Sequence, residues 1–178
     1  MGAMVSWLFD DRKLATACAG TAAALFAALF ALIGTASDSP ALPIVAALAH
    51  VVLYPVVAFL PGPRWAAPAG YAWLATDIAS NVMGLNGVAV ATTTALRLGG
   101  HLSAAVWIFS IAPLGRVERF VAVPLGLMLF GYSLVAPWVP EAAFYPAFIL
   151  LLAWLVVVTL KLARKPHVSA AHGTGSPS

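Results

Sequence analysis

Five side chains able to do chemistry lie in sequence that otherwise reads as hydrocarbon: His50, Asp77, Asn81, Arg97 and His101. Asp77 is the one acid that falls at neither a helix end nor a loop. An ionisable residue at mid-membrane is costly unless neutral or paired, and it is retained for function by default. A buried carboxyl beside an imidazole suits proton transfer, with Asp77 as the acid, His50 or His101 as its base partner, and a lipid-dissolved substrate. The same layer could hold a small molecule or ion without reacting on it. It could also serve only as polar glue in an accessory or assembly subunit. Interhelical polar bonds in membranes are worth about 0.6 kcal/mol on average, so stability alone does not demand a carboxylate.

Spacing sorts these residues onto faces. Asp77, Ser80, Asn81 and Gly84 recur at i, i+3, i+4 and i+7, and Arg97 and His101 stand at i, i+4. At about 1.5 Å per residue, His50 comes out about 15 Å and Asp77 about 16 Å above the cytoplasmic interface. Both heights are near the middle of a roughly 30 Å hydrocarbon core. Asn81 and His101 fall near about 20–23 Å and Arg97 near about 26 Å. A direct Asp77–Arg97 bridge would have to close about 9 Å of height. His50 or His101 is therefore the expected partner of Asp77, with Asn81 supplying a hydrogen bond and Arg97 at the outer mouth. Tyr54, Trp73 and Trp107 complete the expected pocket, where indole faces suit an apolar or cationic ligand.

The elements that must position these groups follow from composition. The chain has 178 residues, 62% hydrophobic and 8% charged, with mean hydropathy +0.97. Soluble domains carry about 25% charged residues, so the solvent for most of this chain is lipid. Apolar segments fall at about 14–34, 41–60, 66–87, 94–114, 120–136 and 142–161. Lys and Arg occur in alternate connections: Arg12 and Lys13, then none, then Arg64, and so on to Lys161, Arg164 and Lys165. That alternation predicts an all-α compact bundle of six transmembrane helices in the plasma (inner) membrane, with both termini cytoplasmic. Residues 1–13 form a cytoplasmic lead and 163–178 a disordered cytoplasmic tail rich in Ser, Gly, Ala and His. The first segment is longer than the roughly 7–15 residues of a signal-peptide core, which favours a retained helix.

Local signals refine the bundle. Pro55 has no N–H for the carbonyl of Val51, which predicts a kink just below His50. Asn86-Gly87 is the preferred turn between the third and fourth spans, and Thr92-Thr93-Thr94 is the next candidate. Gly20, Ala24 and Ala28 repeat at four-residue spacing, a face that would let a neighbouring helix approach closely. Trp65, Trp138 and Tyr145 fall where interfacial aromatic belts sit.

Several function classes drop out. The basic excess, 9 Lys and Arg against 6 acids, includes no basic run with interleaved aromatics, so no nucleic-acid partner is expected. The single cysteine, Cys18, excludes an intramolecular disulfide. No metal is expected, because His50, Asp77 and His101 lack any ligand-motif spacing. Haem between His50 and His101 is disfavoured by heights that differ by about a turn. No nucleophile elbow, P-loop or zincin helix is present. The reading that remains is an outward-leaning intramembrane pocket that binds or handles a small molecule or ion. The lipid bilayer is its first partner, and a homo-oligomer or larger membrane complex is an open possibility.

Overall fold

Helix formation begins at Asp10, whose carboxylate accepts from the amide of Lys13 at 3.2 Å and pairs with its ammonium at 3.1 Å. This caps one of the amides that a helix start leaves unsatisfied. Helix α1 then runs Asp11–Thr35. The computed structural model describes residues 10–36, 39–111 and 115–164, and every regular element among them is helical. The lead before residue 10 and all but the first two residues of the expected tail lie outside the described residues.

Helix α2, Ala41–Val51, and α3, Tyr54–Phe59, form one broken rod. The break at Val52–Leu53 lies where Pro55 cannot donate to Val51. Helix α4 spans Ala66–Leu85 and α5 spans Val90–Ile111. Between them Gly87 takes φ +76°. Its amide reaches the carbonyl of Gly84 at 3.1 Å, and that of Val88 reaches Met83 at 3.0 Å, a Schellman ending. The chain therefore reverses in four residues, and Thr92–Thr94 belong to α5 rather than to a turn before a helix at 94. Helix α6 is Arg116–Val135, so Arg116 and Arg119 lie in its first turns and not in a loop. Glu118 in that turn suits the positive end of the helix dipole, and Lys161 pairs with it at 2.8 Å. Two short 3₁₀ turns, Ala136–Trp138 and Glu141–Phe144, lead into α7, Tyr145–Ala163.

Four of these rods are long and apolar enough to cross a membrane: Asp11–Thr35, Ala41–Phe59, Arg116–Trp138 and Ala142–Ala163. They mark a membrane-embedded protein. Helices α4 and α5 are as long, but their polar side chains lower their hydropathy. Each rod packs on the next in sequence, α4 with α5 most extensively, and α7 returns to α1. The guanidinium of Arg12 closes this ring by donating to the carbonyls of Leu162, at 2.7 Å, and Arg164.

The face by which α1 joins the ring is not the expected one. Ala15, Ala19, Ala22, Phe26 and Leu29 are buried, whereas Ala24 and Ala28 are exposed. A helix this rich in alanine has small residues on more than one face. Phe26 and Leu29, which bury more area, decide which one turns inward. Inside the ring, Trp107, Trp154, Leu53, Val56, Val57 and Leu125 fill one end. The polar layer lies toward the other.

Candidate functional site

Helix α4 presents Trp73, Asp77, Ser80 and Asn81 to the interior, all buried. This is the 3.6-residue periodicity of its polar face, extended one turn back to Trp73. Asp77, 1% exposed, is the centre. Its Oδ2 accepts from the indole Nε1 of Trp73 at 2.5 Å. His50 Nε2 stands 3.1 Å from the same oxygen, and His101 Nε2 stands 4.0 Å from it. Oδ1 has no hydrogen-bond partner, and the nearest cation is Arg97 Nε at 3.9 Å.

The approach of Arg97 corrects the expectation of a residue held apart at the mouth. Height arithmetic places backbones, and the long arginine stem spans the remaining distance. Its guanidinium donates to Ser80 Oγ at 3.2 Å and to Asn81 Oδ1 at 3.0 Å. Even so, its side chain stays 44% exposed. Asn81 does not bond the carboxylate as expected. Its amide donates to the Asp77 backbone carbonyl at 2.8 Å, which aims its oxygen at Arg97.

One further contact orients the imidazole of His50. His50 Nδ1 lies 2.7 Å from the carbonyl oxygen of Ala46. A carbonyl only accepts, so that nitrogen carries a hydrogen. Nε2 then faces Asp77 Oδ2 either as a lone pair or as a second N–H. At 3.1 Å the two atoms are within hydrogen-bond reach of each other. The layer thus sets one carboxylate among two imidazoles and a guanidinium.

Aromatic rings hold the imidazoles in place. Phe26 and Trp73 meet His50 edge-on at 5.2 and 5.5 Å. Phe144 stacks on His101 at 5.0 Å, and the buried Nδ1 of His101 is left without a hydrogen-bond partner. Both imidazole Nε2 atoms aim at one carboxylate oxygen, which is not the arrangement of two axial ligands on opposite faces of a macrocycle. Among the described residues, no group of three or more His, Cys, Asp or Glu is placed to hold a metal ion.

The layer forms one end of a cavity of about 880 Å³. Its walls are largely apolar, with Leu29, Leu42, Ala46 and Phe148 among them, and His50, Trp73, Asp77, Asn81, Arg97 and His101 supply the polar end. Val90, Ala91, Pro137 and Val139 line it near the helix ends that carry no Lys or Arg. Two expected lining residues are elsewhere. Tyr54 stacks on Tyr71 at 5.6 Å, because the break at Val52–Leu53 turns it off the face of His50. Trp107 lies behind Trp73 at 5.7 Å and packs edge-on against Trp154 at 5.4 Å. The Trp73–Asp77 bond is not among the contacts expected from the sequence, although its i, i+4 spacing is a local signal for it. The ring contributed by Phe144 has no such local signal.

Comparison with protein-family models, with curated proteins and with solved structures returned no match.

Proposed function

We propose that this chain is a six-span protein of the plasma (inner) membrane that binds a small molecule or ion in its interior cavity. In this reading α4 and α5 also cross, both termini are cytoplasmic, and the cavity mouth faces outward. Support comes from the alternating direction of the six rods and from the basic residues. Among the described residues, Arg12, Lys13, Arg64, Arg116, Arg119, Lys161 and Arg164 all fall toward one end of the ring, and Arg97 alone lies in the other half.

The observation that carries binding is the convergence of a large, mostly apolar cavity on a buried carboxylate whose second oxygen is unpartnered. Pockets of roughly 300–1,000 Å³ with apolar walls and few polar groups are the usual form of small-molecule sites. Polar glue between helices needs no such space. A second reading, acid/base catalysis on a lipid-soluble substrate, is favoured by the 3.1 Å contact between His50 Nε2 and Asp77 Oδ2.

The test is a thermal melt of the detergent-solubilised wild type beside Asp77→Asn, which keeps an acceptor for Trp73. Binding predicts an unchanged or higher melting temperature, because the variant loses a liability retained for function. A steep drop that is equal at every pH would make Asp77 structural and move the protein to an accessory role. Turnover that vanishes in a still-folded Asp77→Asn protein would favour the enzyme.

A further inference from the structure

We infer that the ligand of this cavity is an amphiphile with an anionic head, carboxylate or phosphate, met by Arg97 and followed by an apolar tail along the cavity walls. This rests on the binding reading above and adds the class of ligand to it.

The buried layer has a single carboxylate for three basic side chains, His50, His101 and Arg97. Asp77 turns its Oδ2 to Trp73 Nε1 and His50 Nε2, at 2.5 and 3.1 Å, and leaves Arg97 no closer than 3.9 Å. Arg97 is then left with the neutral oxygens of Ser80 and Asn81 as its hydrogen-bond acceptors. A guanidinium held by neutral acceptors, half-exposed in an apolar cavity, is completed by an anion that can take its remaining N–H donors. A cationic ligand would meet three basic side chains gathered on one carboxylate that is already engaged. A neutral one would leave the remaining N–H donors of the guanidinium without a charged acceptor closer than Asp77 Oδ1 at 3.9 Å. The walls set the rest: Phe26, Leu29, Leu42, Leu129 and Leu151 offer apolar surface and no charge, so a wholly polar anion would lose water without replacement. The anionic head could belong to a lipid of the surrounding bilayer or to a free single-chain amphiphile, and both share this chemistry.

The experiment uses the full chain in nanodiscs of zwitterionic lipid, read by tryptophan fluorescence and by melting temperature. Dodecanoate, dodecyl phosphate, dodecanol and dodecyltrimethylammonium are titrated in turn, and a parallel set of discs contains phosphatidylglycerol. The expected result is saturable binding of the two anions. Arg97→Gln should weaken it about ten- to a hundredfold, as loss of a charged hydrogen bond implies. Arg97→Lys should restore most of the preference, which separates charge from a folding defect. An Arg97-dependent response to phosphatidylglycerol alone supports the inference with a bilayer lipid as the source. A response to dodecanoate or dodecyl phosphate supports it with a free amphiphile. Equal binding of dodecanol, or tighter binding of the cation, overturns the anionic head while leaving the cavity as a binding site. If no probe binds and Ala91→Trp at the mouth changes nothing, the binding reading itself fails.

Discussion

The two ends of this helical ring are built on opposite plans. Toward the basic end the interior is solid. Trp107 and Trp154 meet edge-on, and Leu53, Val56, Val57, Ile108, Leu125 and Leu155 fill the space around them. That end is also tied at its rim by Arg12 on the α7 carbonyls and by Lys161 on Glu118. Toward the other end the same rods surround empty volume, with Asp77 at its base and an unpartnered oxygen on it. Packing at near-crystalline density is the default of protein interiors. A hollow half beside a solid half therefore separates the part of the sequence that holds the ring together from the part that has another task.

Substitutions sharpen or break this contrast. The largest effect is expected from Trp107→Ala, which empties a fully buried site in the solid half. It should cost about 3–5 kcal/mol, read as a large fall in melting temperature. Gly70→Ala comes next. An added Cβ would stand 2.8 Å from Val57 Cγ1 and 3.1 Å from the Trp107 ring, so two packed neighbours must move. A loss of about 1–3 kcal/mol is expected. Leu42→Ala, on the cavity wall, only enlarges a space already present and should cost about 1 kcal/mol or less. If Leu42→Ala destabilises as much as Trp107→Ala, the hollow half is packed in solution and the contrast is gone. The smallest effect belongs to Asp10→Asn at the rim. Lys13, through its side chain and its amide, holds the Asp10 carboxyl below the usual range. A depressed folded value adds stability above the unfolded pKa and loses it as pH falls through the folded one. The variant should melt slightly below wild type at neutral pH and together with it in acid.

How much of this was legible in the sequence depends on the kind of statement. The helical class and the places where helices stop came from hydropathy, Pro55 and Asn86-Gly87, which act locally. The approach of His50 to Asp77 is legible in depth, since one rise per residue serves every helix, whereas His101 comes out about a turn higher and reaches only 4.0 Å. Rotation was not legible. Which alanine face of α1 turned inward, and where Tyr54 and Trp107 pointed, depended on packing partners far away in the chain. Side-chain reach was not legible either. Arg97 closed a gap that backbone heights left open, and Asn81 turned to the guanidinium because its own helix carbonyl took its amide. The turn that brings Phe144 onto His101 lies 43 residues further along the chain. No short-range pattern could have announced it.

The break at Val52–Leu53 has a mechanical consequence. It divides one rod into a clamped part and a cantilever. Below it Leu53, Val56 and Val57 are gripped by the solid half. Above it Ala41–Val51 carries His50 and the wall residues Leu42 and Ala46, and its inner side borders the void. The break is the joint of this rod, and the part that borders the cavity is held through Ala49 and His50 while Leu42 and Ala46 face the open space. Amide exchange along this rod should therefore be uneven, faster over 41–51 than over 56–59, although both stretches are helical.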